Sequence, residues 1–301
     1  MYDLKISGGF VVDGTGAPGR IMDVGIVGDR IVAVGNLDEA AREEIDAKGR
    51  IVAPGFVDIH THYDGQATWD QEMAPSAWHG VTTVVMGNCG VGFAPAAPER
   101  QDWLIGLMEG VEDIPGSALA EGMTWDWESF PDYLNALEKL DRTIDVAAQV
   151  PHGAVRAYVM GDRGAANEAP TDDDIAHMAG IVEEGLLAGA VGFSTSRTIL
   201  HKSVEGELVP GTTATKEELL GIGDALKRAG HGVFELASDL HPDWDEFGWM
   251  GDLSRDTGAA VAFTALESPI KGLSFAQQLA EMRVQNDAGA RIVAQISMRG
   301  T

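Results

Sequence analysis

Cysteine is the scarcest residue in this chain: the 301 residues contain one, Cys89, so no disulfide bond can form within the chain. A protein without disulfides fits a reducing compartment. The first residues, MYDLKISGGFVV, lack the basic segment and the following apolar stretch of a secretory signal. No apolar run approaches the roughly 18 residues that a membrane-spanning helix needs. We therefore expect a cytoplasmic protein with no membrane partner.

Positive charge is the second shortage. The chain has 21 lysine and arginine residues against 47 aspartate and glutamate residues, which gives a formal net charge of −26 at pH 7. A surface this acidic repels phosphate groups, so nucleic acid is not an expected partner. We expect a small-molecule substrate instead, and the composition leaves the oligomeric state open.

The first fifty residues have the pattern of short β-strands. The segments LKISGGFVVDG, DVGIVGDRIVAVG and EEIDAKGRIVAPG alternate apolar and polar positions and are interrupted by glycine-containing turns. The residues GDR between GIV and IVAVG predict a hairpin. We predict a small β-domain over residues 1–54, which ends near Ala53, Pro54 and Gly55.

Short apolar segments alternate with helical ones from Phe56 onwards, which predicts an α/β fold with a parallel sheet. Seven such units indicate most of a (β/α)8 TIM-type barrel over residues 55–301, and a doubly wound open sheet is the alternative. Two helices are predicted to begin with capping patterns, at residues 171–174 and 215–218. The predicted strands are Phe56–Ile59, Thr82–Met86, Ile144–Val150, Ala190–Phe193, Gly232–Leu236, Ala260–Thr264 and Ile292–Ile296.

A barrel of about seven strands is incomplete. The chain stops at RIVAQISMRGT, directly after the seventh predicted strand, and a barrel needs an eighth strand to cover its open edge. We therefore expect the 301 residues to be the N-terminal portion of a longer protein. The long segment from Gly87 to Glu128 is rich in Gly, Pro and Trp, and we predict a functional loop there, such as a lid or a pocket wall.

Two histidines follow the first predicted barrel strand, in GFVDIHTHYDG. His60 and His62 are two residues apart on an extended segment, so both side chains face the same way. Barrel enzymes have their active sites at the carboxyl ends of the strands. Two imidazoles on one face there can bind one divalent ion such as zinc. We predict that His60 and His62 are metal ligands.

The single cysteine follows the second predicted barrel strand, in TTVVMGNCG. A lone cysteine is most often a small buried apolar side chain, and this interpretation stays open. The end of a barrel strand is also a position from which a thiolate can bind a metal ion or bridge two ions. We predict that Cys89 is the third metal ligand.

Histidine and arginine also follow the third and the fourth predicted strands. His152 and Arg156 lie in VPHGAVR, and Arg197 and His201 lie in GFSTSRTILHK. An arginine at the mouth of a barrel can bind a substrate carboxylate through two hydrogen bonds. We predict that these four residues bind the substrate, and solvated loop residues without a function are the alternative.

The segments GRIVAPGFVDIHTHYDG, GVTTVVMGNCG and AGAVGFSTS together resemble the amidohydrolase superfamily, and within it the D-aminoacylase (N-acyl-D-amino-acid deacylase) branch. The resemblance extends from the opening strands to about Thr215, and more weakly beyond. It implies a metal-dependent hydrolase in which a (β/α)8 barrel lies beside a β-sandwich, with residues 1–54 as the N-terminal part of that sandwich. It also implies that His60, His62 and Cys89 bind one or two Zn²⁺ or other divalent transition-metal ions.

The chain departs from the family pattern at the site itself. The family has two further histidine ligands at the ends of the fifth and sixth strands, where GVFELASD and AVAFTALES have Ala237 and Ala265. Alanine cannot bind a metal ion, and the sequence favours none of the nearby donors Glu235, His241 and Glu267 as a substitute. The family's catalytic aspartate, at the end of the eighth strand, is expected beyond residue 301, so the catalytic residue stays unknown.

Two functions are compatible with these patterns. The first is a metal-dependent hydrolase that cleaves a non-peptide C–N bond, such as the amide of an N-acyl-D-amino acid, with metal-activated water. Three protein ligands leave one position open, as in other catalytic zinc sites. The alternative is an impaired or truncated barrel that binds a small molecule or a metal ion without catalysis.

Overall fold

The computed structural model describes residues 1–266 and 272–296. The chain divides into two compact units, Met1–Phe56 and Val57–Thr301. The predicted domain boundary, between residues 54 and 55, lies two residues before this division. Among the described residues, no helix combines the length and the apolar character that crossing a bilayer requires.

The first unit is one mixed sheet of five strands: β1 (Tyr2–Val11), β2 (Arg20–Val27), β3 (Arg30–Gly35), β4 (Ala41–Asp46) and β5 (Ile51–Val52). β1 pairs antiparallel with β2, and parallel with β4 and β5. The predicted hairpin is present, because Val27 pairs with Arg30 and leaves a turn at Gly28 and Asp29. The described residues form a single layer here, so the second layer of the sandwich stays a prediction.

The second unit contains a curled parallel sheet of seven strands: β6 (Phe56–Asp58), β7 (Val81–Met86), β8 (Asp145–Pro151), β9 (Gly192–Arg197), β10 (Val233–Ser238), β11 (Ala260–Thr264) and β12 (Ile292–Gln295). The strands lie in the sheet in the same order as in the chain. A doubly wound sheet reverses its strand order at a switch point, so this alternative is excluded and the barrel-type fold is confirmed.

Helices follow the barrel strands: α1 (Gln101–Glu112), α2 (Gly116–Gly122), α3 (Phe130–Glu138), α4 (His152–Met160), α5 (Asp162–Ala165), α6 (Asp172–Ala188), α7 (Lys216–Ala229), α8 (Glu246–Thr257) and α9 (Phe275–Asp287). Both predicted caps are present. Thr171 and Asp174 exchange hydrogen bonds in a capping box before α6, and the Thr215 hydroxyl accepts from the Glu218 N–H before α7. The segment from Gly87 to Glu128 is not one loop, because α1 and α2 lie within it.

Aromatic side chains fix which face of the sheet is covered by helices. Phe234 of β10 is fully buried against Trp249 of α8, with ring centroids 5.8 Å apart. Phe263 of β11 packs in the same way against Phe247 of α8, at 5.2 Å. Since successive side chains of a strand point to opposite faces, the neighbours of these phenylalanines face the interior of the curled sheet.

Candidate metal centre

His60 and His62 lie just after β6, and the residue between them fixes their position. The Thr61 main-chain N–H and its hydroxyl both donate to the Val85 carbonyl of β7, at 3.0 and 2.8 Å. This pairing directs the Thr61 side chain towards β7 and leaves the two imidazoles on the other side. Their ring centroids are 5.5 Å apart.

The segment Gly87–Gly90 follows β7 and is tied to the histidine segment by Asn88. The Asn88 amide donates to the Thr61 and Val85 carbonyls at 3.1 and 2.9 Å, and its oxygen accepts from Gln149 at 2.8 Å. Asn88 is fully buried. An amide that satisfies three buried groups holds the two segments in a fixed relation, which accounts for the asparagine next to Cys89.

The backbone requires glycine at positions 87 and 90, on either side of Asn88 and Cys89. Gly87 has a φ of +76° and Gly90 a φ of +68°. A Cβ atom at Gly87 would overlap the Gln149 carbonyl, and one at Gly90 would lie 2.9 Å from the Ser196 nitrogen. Cys89 itself has a φ of +55°, a region that residues other than glycine rarely adopt. The motif GNCG therefore folds a tight turn that turns the thiol inward.

The three predicted ligands converge. One donor atom from each of His60, His62 and Cys89 lies within 4.8 Å of the others. His60 Nε2 is 3.2 Å from Cys89 Sγ, while His60 Nδ1 is 3.0 Å from Gln295 Oε1 of β12. An amide oxygen accepts, so the His60 proton lies on Nδ1 and the lone pair of Nε2 faces the sulfur.

His62 has a carboxylate partner that the sequence did not reveal. Its Nε2 lies 3.2 Å from Glu112 Oε1, at the end of α1. Its Nδ1 is buried, with no hydrogen-bond partner in the part of the chain that the structure describes. Burial first, and then the nearby imidazoles of His60 and His201, lower the pKa of His62 to about 3. The ring is therefore neutral at physiological pH, as a metal ligand must be.

Acidic groups crowd around this cluster. Burial raises the pKa of Asp64 to about 8, that of Glu235 to about 8 and that of Glu112 to about 7. Burial also raises the pKa of the Cys89 thiol, and the charges of the same three carboxyl groups add to that effect. These carboxyl groups and the thiol therefore favour their protonated forms when no cation compensates their negative charge.

The donor set fits a divalent metal ion. Two imidazole nitrogens and a thiolate are the ligand types of zinc sites, with bonds of about 2.0–2.1 Å to nitrogen and about 2.3 Å to sulfur. A tetrahedral ion with such bonds would set its nitrogen and sulfur ligands about 3.6 Å apart. His60 Nε2 and Cys89 Sγ are 3.2 Å apart, so a small outward shift of the two donors would admit the ion. The hydrogen bond that His60 donates to Gln295 and the contact of His62 with the Glu112 carboxylate resemble the outer partners that orient metal-binding histidines.

The two alanines remain a departure. Ala237 and Ala265 are buried at the ends of β10 and β11 and offer no donor. Of the three possible substitutes, Glu235 reaches the cluster, whereas His241 stacks beside Trp244, with a centroid separation of 5.6 Å. Glu267 lies outside the described residues.

His152 and Arg156, two of the predicted substrate ligands, are buried on α4. His152 Nδ1 bonds to Thr195 Oγ1 at 2.8 Å and its Nε2 lies 3.2 Å from Glu218 Oε1. Arg156 Nε is 3.4 Å from the same Glu218 oxygen, and its Nη2 donates to the Glu168 carbonyl. This is a closed cluster of buried polar groups, so substrate contact by His152 and Arg156 stays a prediction.

Arg197, the third of these residues, ends β9, and His201 follows it by four residues. Arg197 Nε donates to Glu246 at 2.8 Å, and its guanidinium lies 5.7 Å from the Trp244 ring centroid. His201 Nδ1 is 3.0 Å from Ser196 Oγ. Burial, followed by the charge of His60, lowers the pKa of His201 to about 4, which places His201 within electrostatic range of the metal ligands. Substrate contact by Arg197 and His201 stays a prediction, like that of His152 and Arg156.

Three residues of the site were missed or left open by the sequence patterns: Glu112, Gln295 and Glu235. Glu112 ends a helix within the segment predicted as a functional loop, so the segment was identified but not the residue. Glu235 lies within the apolar strand pattern VFELAS, and Gln295 ends the apolar strand pattern IVAQ. A polar residue within such a strand was the available signal, because it needs a buried partner.

A family model described as "Amidohydrolase family" matches residues 43–292, which is most of the chain. The chain belongs to the amidohydrolase family. Among curated relatives of this amidohydrolase, the D-aminoacylase of Alcaligenes xylosoxydans xylosoxydans is 38% identical over 230 residues, which are 76% of this chain and 43% of that protein. The N-acyl-D-glutamate deacylase of the same organism is 38% identical over 233 residues, 76% of this chain and 42% of that one.

Solved structures agree with this assignment. A D-aminoacylase structure that addresses a binuclear metal centre superposes with a TM-score of 0.80 and 32% identity, covering 98% of this chain and 58% of that one. The N-acyl-D-glutamate deacylase from Bordetella bronchiseptica, complexed with zinc and a phosphonate inhibitor, gives a TM-score of 0.74 at 29% identity, with the same coverage. This amidohydrolase chain spans 58% of each of these two solved chains and less than half the length of the curated relatives described above.

Proposed function

We propose that this chain provides the metal site of a hydrolase that cleaves the amide bond of N-acyl-D-amino acids. The observation that carries the proposal is the convergence of His60, His62 and Cys89 within 4.8 Å at the carboxyl ends of the first two barrel strands. The activities of the D-aminoacylase and the deacylases that it resembles support the substrate class.

The residues of the chain divide the chemical work. His60, His62 and Cys89 hold one or two zinc ions, and Gln295 and Glu112 orient the two imidazoles through His60 Nδ1 and His62 Nε2. A bound zinc ion would supply Lewis-acid chemistry, which polarises a carbonyl group and acidifies a water molecule. Cys89 is buried, so the local dielectric constant is low and electrostatic interactions at the site are strong.

His152, Arg156, Arg197 and His201 are proposed to shape the substrate site, His201 by direct contact. Its ring is neutral at physiological pH because its pKa is lowered to about 4, and it can donate or accept a hydrogen bond. Arg197 is the proposed cationic partner of the free carboxylate of an N-acyl amino acid. We further propose a cytoplasmic location and a small-molecule substrate without nucleic-acid or membrane partners.

The test uses the protein expressed from its complete reading frame. Metal content is measured on the purified protein, and hydrolysis is followed with N-acetyl-D-amino acids and their L-enantiomers before and after chelation. We expect zinc in the protein, hydrolysis of the D-series, loss of activity on chelation and recovery with added zinc.

The matched variants are His60→Ala and His79→Ala, because His79 is an exposed histidine that lies outside the cluster. We expect His60→Ala to abolish activity and His79→Ala to retain it. A protein that binds zinc and ligand but hydrolyses no acyl amino acid would support the non-catalytic alternative.

A further inference from the structure

Glu235 lies in the interior of the curled sheet. It follows Phe234, whose ring packs outward against α8, so the Glu235 side chain points to the opposite face of β10. Its exposed fraction is 1%. A carboxyl group at this depth is unusual in a strand that is otherwise apolar, because burial of an unpaired charge is strongly unfavourable.

Glu235 touches the metal cluster at two points. Its Oε2 accepts a hydrogen bond from the Cys89 main-chain N–H at 3.1 Å, across 146 residues of sequence. Its Oε1 is buried without a hydrogen bond and lies 3.9 Å from His60 Nδ1. Among the described residues, no lysine or arginine forms an ion pair with this carboxylate.

We propose that Glu235 is a positioning residue of the metal centre, and this inference rests on the proposed metal site. Through Oε2 it holds Cys89 in the left-handed conformation that turns Sγ towards His60 Nε2. Through its charge it compensates the bound ion, because one thiolate and one carboxylate together balance a divalent cation. The buried carboxylate and the cation thus neutralise each other in the low-dielectric interior.

Ala237 explains how a carboxylate can act from this depth. Residues 235 and 237 face the same side of β10, so the Ala237 methyl group lies one step closer to the carboxyl end of the strand. A small side chain at 237 leaves room for the longer Glu235 side chain to extend towards the cluster. The small Ala237 side chain, which offers no donor, therefore makes room for the donor that Glu235 supplies.

The test is zinc affinity, measured on the complete protein by competition with a chromophoric chelator. Glu235→Gln keeps an oxygen that can accept from Cys89 but removes the charge, and we expect zinc to bind about 10–100-fold more weakly, the range typical for outer partners of metal ligands. The melting temperature without metal should stay the same or rise, while the increase in melting temperature on adding zinc should shrink.

Two further variants complete the design. Glu235→Asp keeps the charge but is one methylene too short to reach the Cys89 N–H, and it should also weaken zinc binding; it replaces Glu235→Gln if that variant does not fold. Asp23→Asn is the matched control, because Asp23 accepts from the main-chain N–H groups of Gly8 and Leu37 in the first sheet. It should leave zinc affinity unchanged.

The outcomes separate the two proposals. Wild-type protein that binds no zinc contradicts the proposed function itself. Wild-type protein that binds zinc, together with a Glu235→Gln variant of equal affinity, overturns the role of Glu235 alone. The melting temperature of Glu235→Gln could instead fall by the same amount with and without zinc, at unchanged zinc affinity. That result would show that Glu235 stabilises the fold and nothing more.

Discussion

His60 Nε2 lies 3.2 Å from Cys89 Sγ, although the two residues are 29 positions apart and follow different strands. Such a contact between a bare imidazole nitrogen and a buried thiol has little stability of its own, because the thiol is a weak donor. It is, however, only about 0.4 Å shorter than the separation that a tetrahedral zinc ion would set between a nitrogen and a sulfur ligand.

Replacing the sulfur therefore gives the first prediction. Cys89→Ser removes a soft, anionic donor. Loss of an outer partner of a metal ligand weakens metal binding by about 10–100-fold, and we expect the loss of Cys89 itself to weaken zinc binding more than that. Cobalt substitution gives a direct measurement, since wild-type protein should show a thiolate-to-cobalt absorption band and the variant should not. Retention of the band in Cys89→Ser would place the ligand elsewhere.

The second prediction concerns the glycine after the cysteine. Gly90→Ala forces a Cβ atom to within 2.9 Å of the Ser196 nitrogen and places alanine at a φ of +68°. We expect a loss of about 1–3 kcal/mol in the free energy of unfolding, together with weaker zinc binding, because the cysteine turn must shift.

Gly258→Ala is the control for that experiment. Gly258 has a φ of +75° at the end of α8, and its Cβ would meet nothing within 4 Å. This variant should show the conformational cost of about 1 kcal/mol alone, with unchanged zinc affinity. Chemical denaturation and chelator competition on both variants measure the two effects. Equal zinc affinities for Gly90→Ala and wild type would show that the turn tolerates the shift.

The third prediction is a pH dependence that originates in the buried cluster on α4. Burial lowers the pKa of His152, and its contact with Glu218 offsets this in part. The unfolded chain therefore takes up a proton near the ordinary histidine pKa of about 6.5, while the folded protein does not. The unfolded state then binds more protons, so stability falls as the pH drops below that value.

His152→Gln should remove this contribution, and the decrease in melting temperature between pH 7.5 and pH 5.5 should be smaller than in wild type. The comparison is made at saturating zinc, so that the metal ligands are equally occupied. His177→Gln, at an exposed position on α6, serves as the control and should keep the wild-type slope. Identical slopes for all three proteins would exclude His152 as the source.

The fourth prediction separates two roles of Arg197. Its guanidinium donates to Glu246, which is buried, and to the Ala214 carbonyl. Arg197→Lys cannot reproduce this geometry, so we expect a loss of about 1.5–3 kcal/mol in the free energy of unfolding. Because lysine also cannot bind a carboxylate through two parallel hydrogen bonds, we expect KM to rise as well. A lowered stability with KM at the wild-type value would limit Arg197 to its structural contacts and contradict the proposed substrate contact.

The barrel-type fold could be predicted because its signals are local. Each barrel strand is a short apolar run next to a helical segment, and both capping patterns at Thr171 and Thr215 are present in the structure. The main error lay in the segment from Gly87 to Glu128, where abundant glycine and proline suggested a loop. Packing in fact stabilises α1 there, with Leu104 and Met108 buried. Tertiary contacts of this kind override local propensity.

The site was predictable only in part, for a similar reason. His60, His62 and Cys89 lie in turn motifs at strand ends, where position alone indicates a function. Glu112 and Glu235 reach the site through the fold, from a helix end and from the middle of a strand. No spacing rule connects them to the histidines, since their proximity is created by the curl of the sheet.

The hydrogen bond between His60 and Gln295 has a consequence for how the protein is made. It joins side chains 235 residues apart, next to the first and on the last strand of the described parallel sheet. A ribosome produces His60, His62 and Cys89 early, but the partner that fixes the His60 ring emerges only after residue 295. The nascent chain thus contains His60 long before the partner of its ring exists, so the orientation of this one ligand can be fixed only after synthesis has passed residue 295.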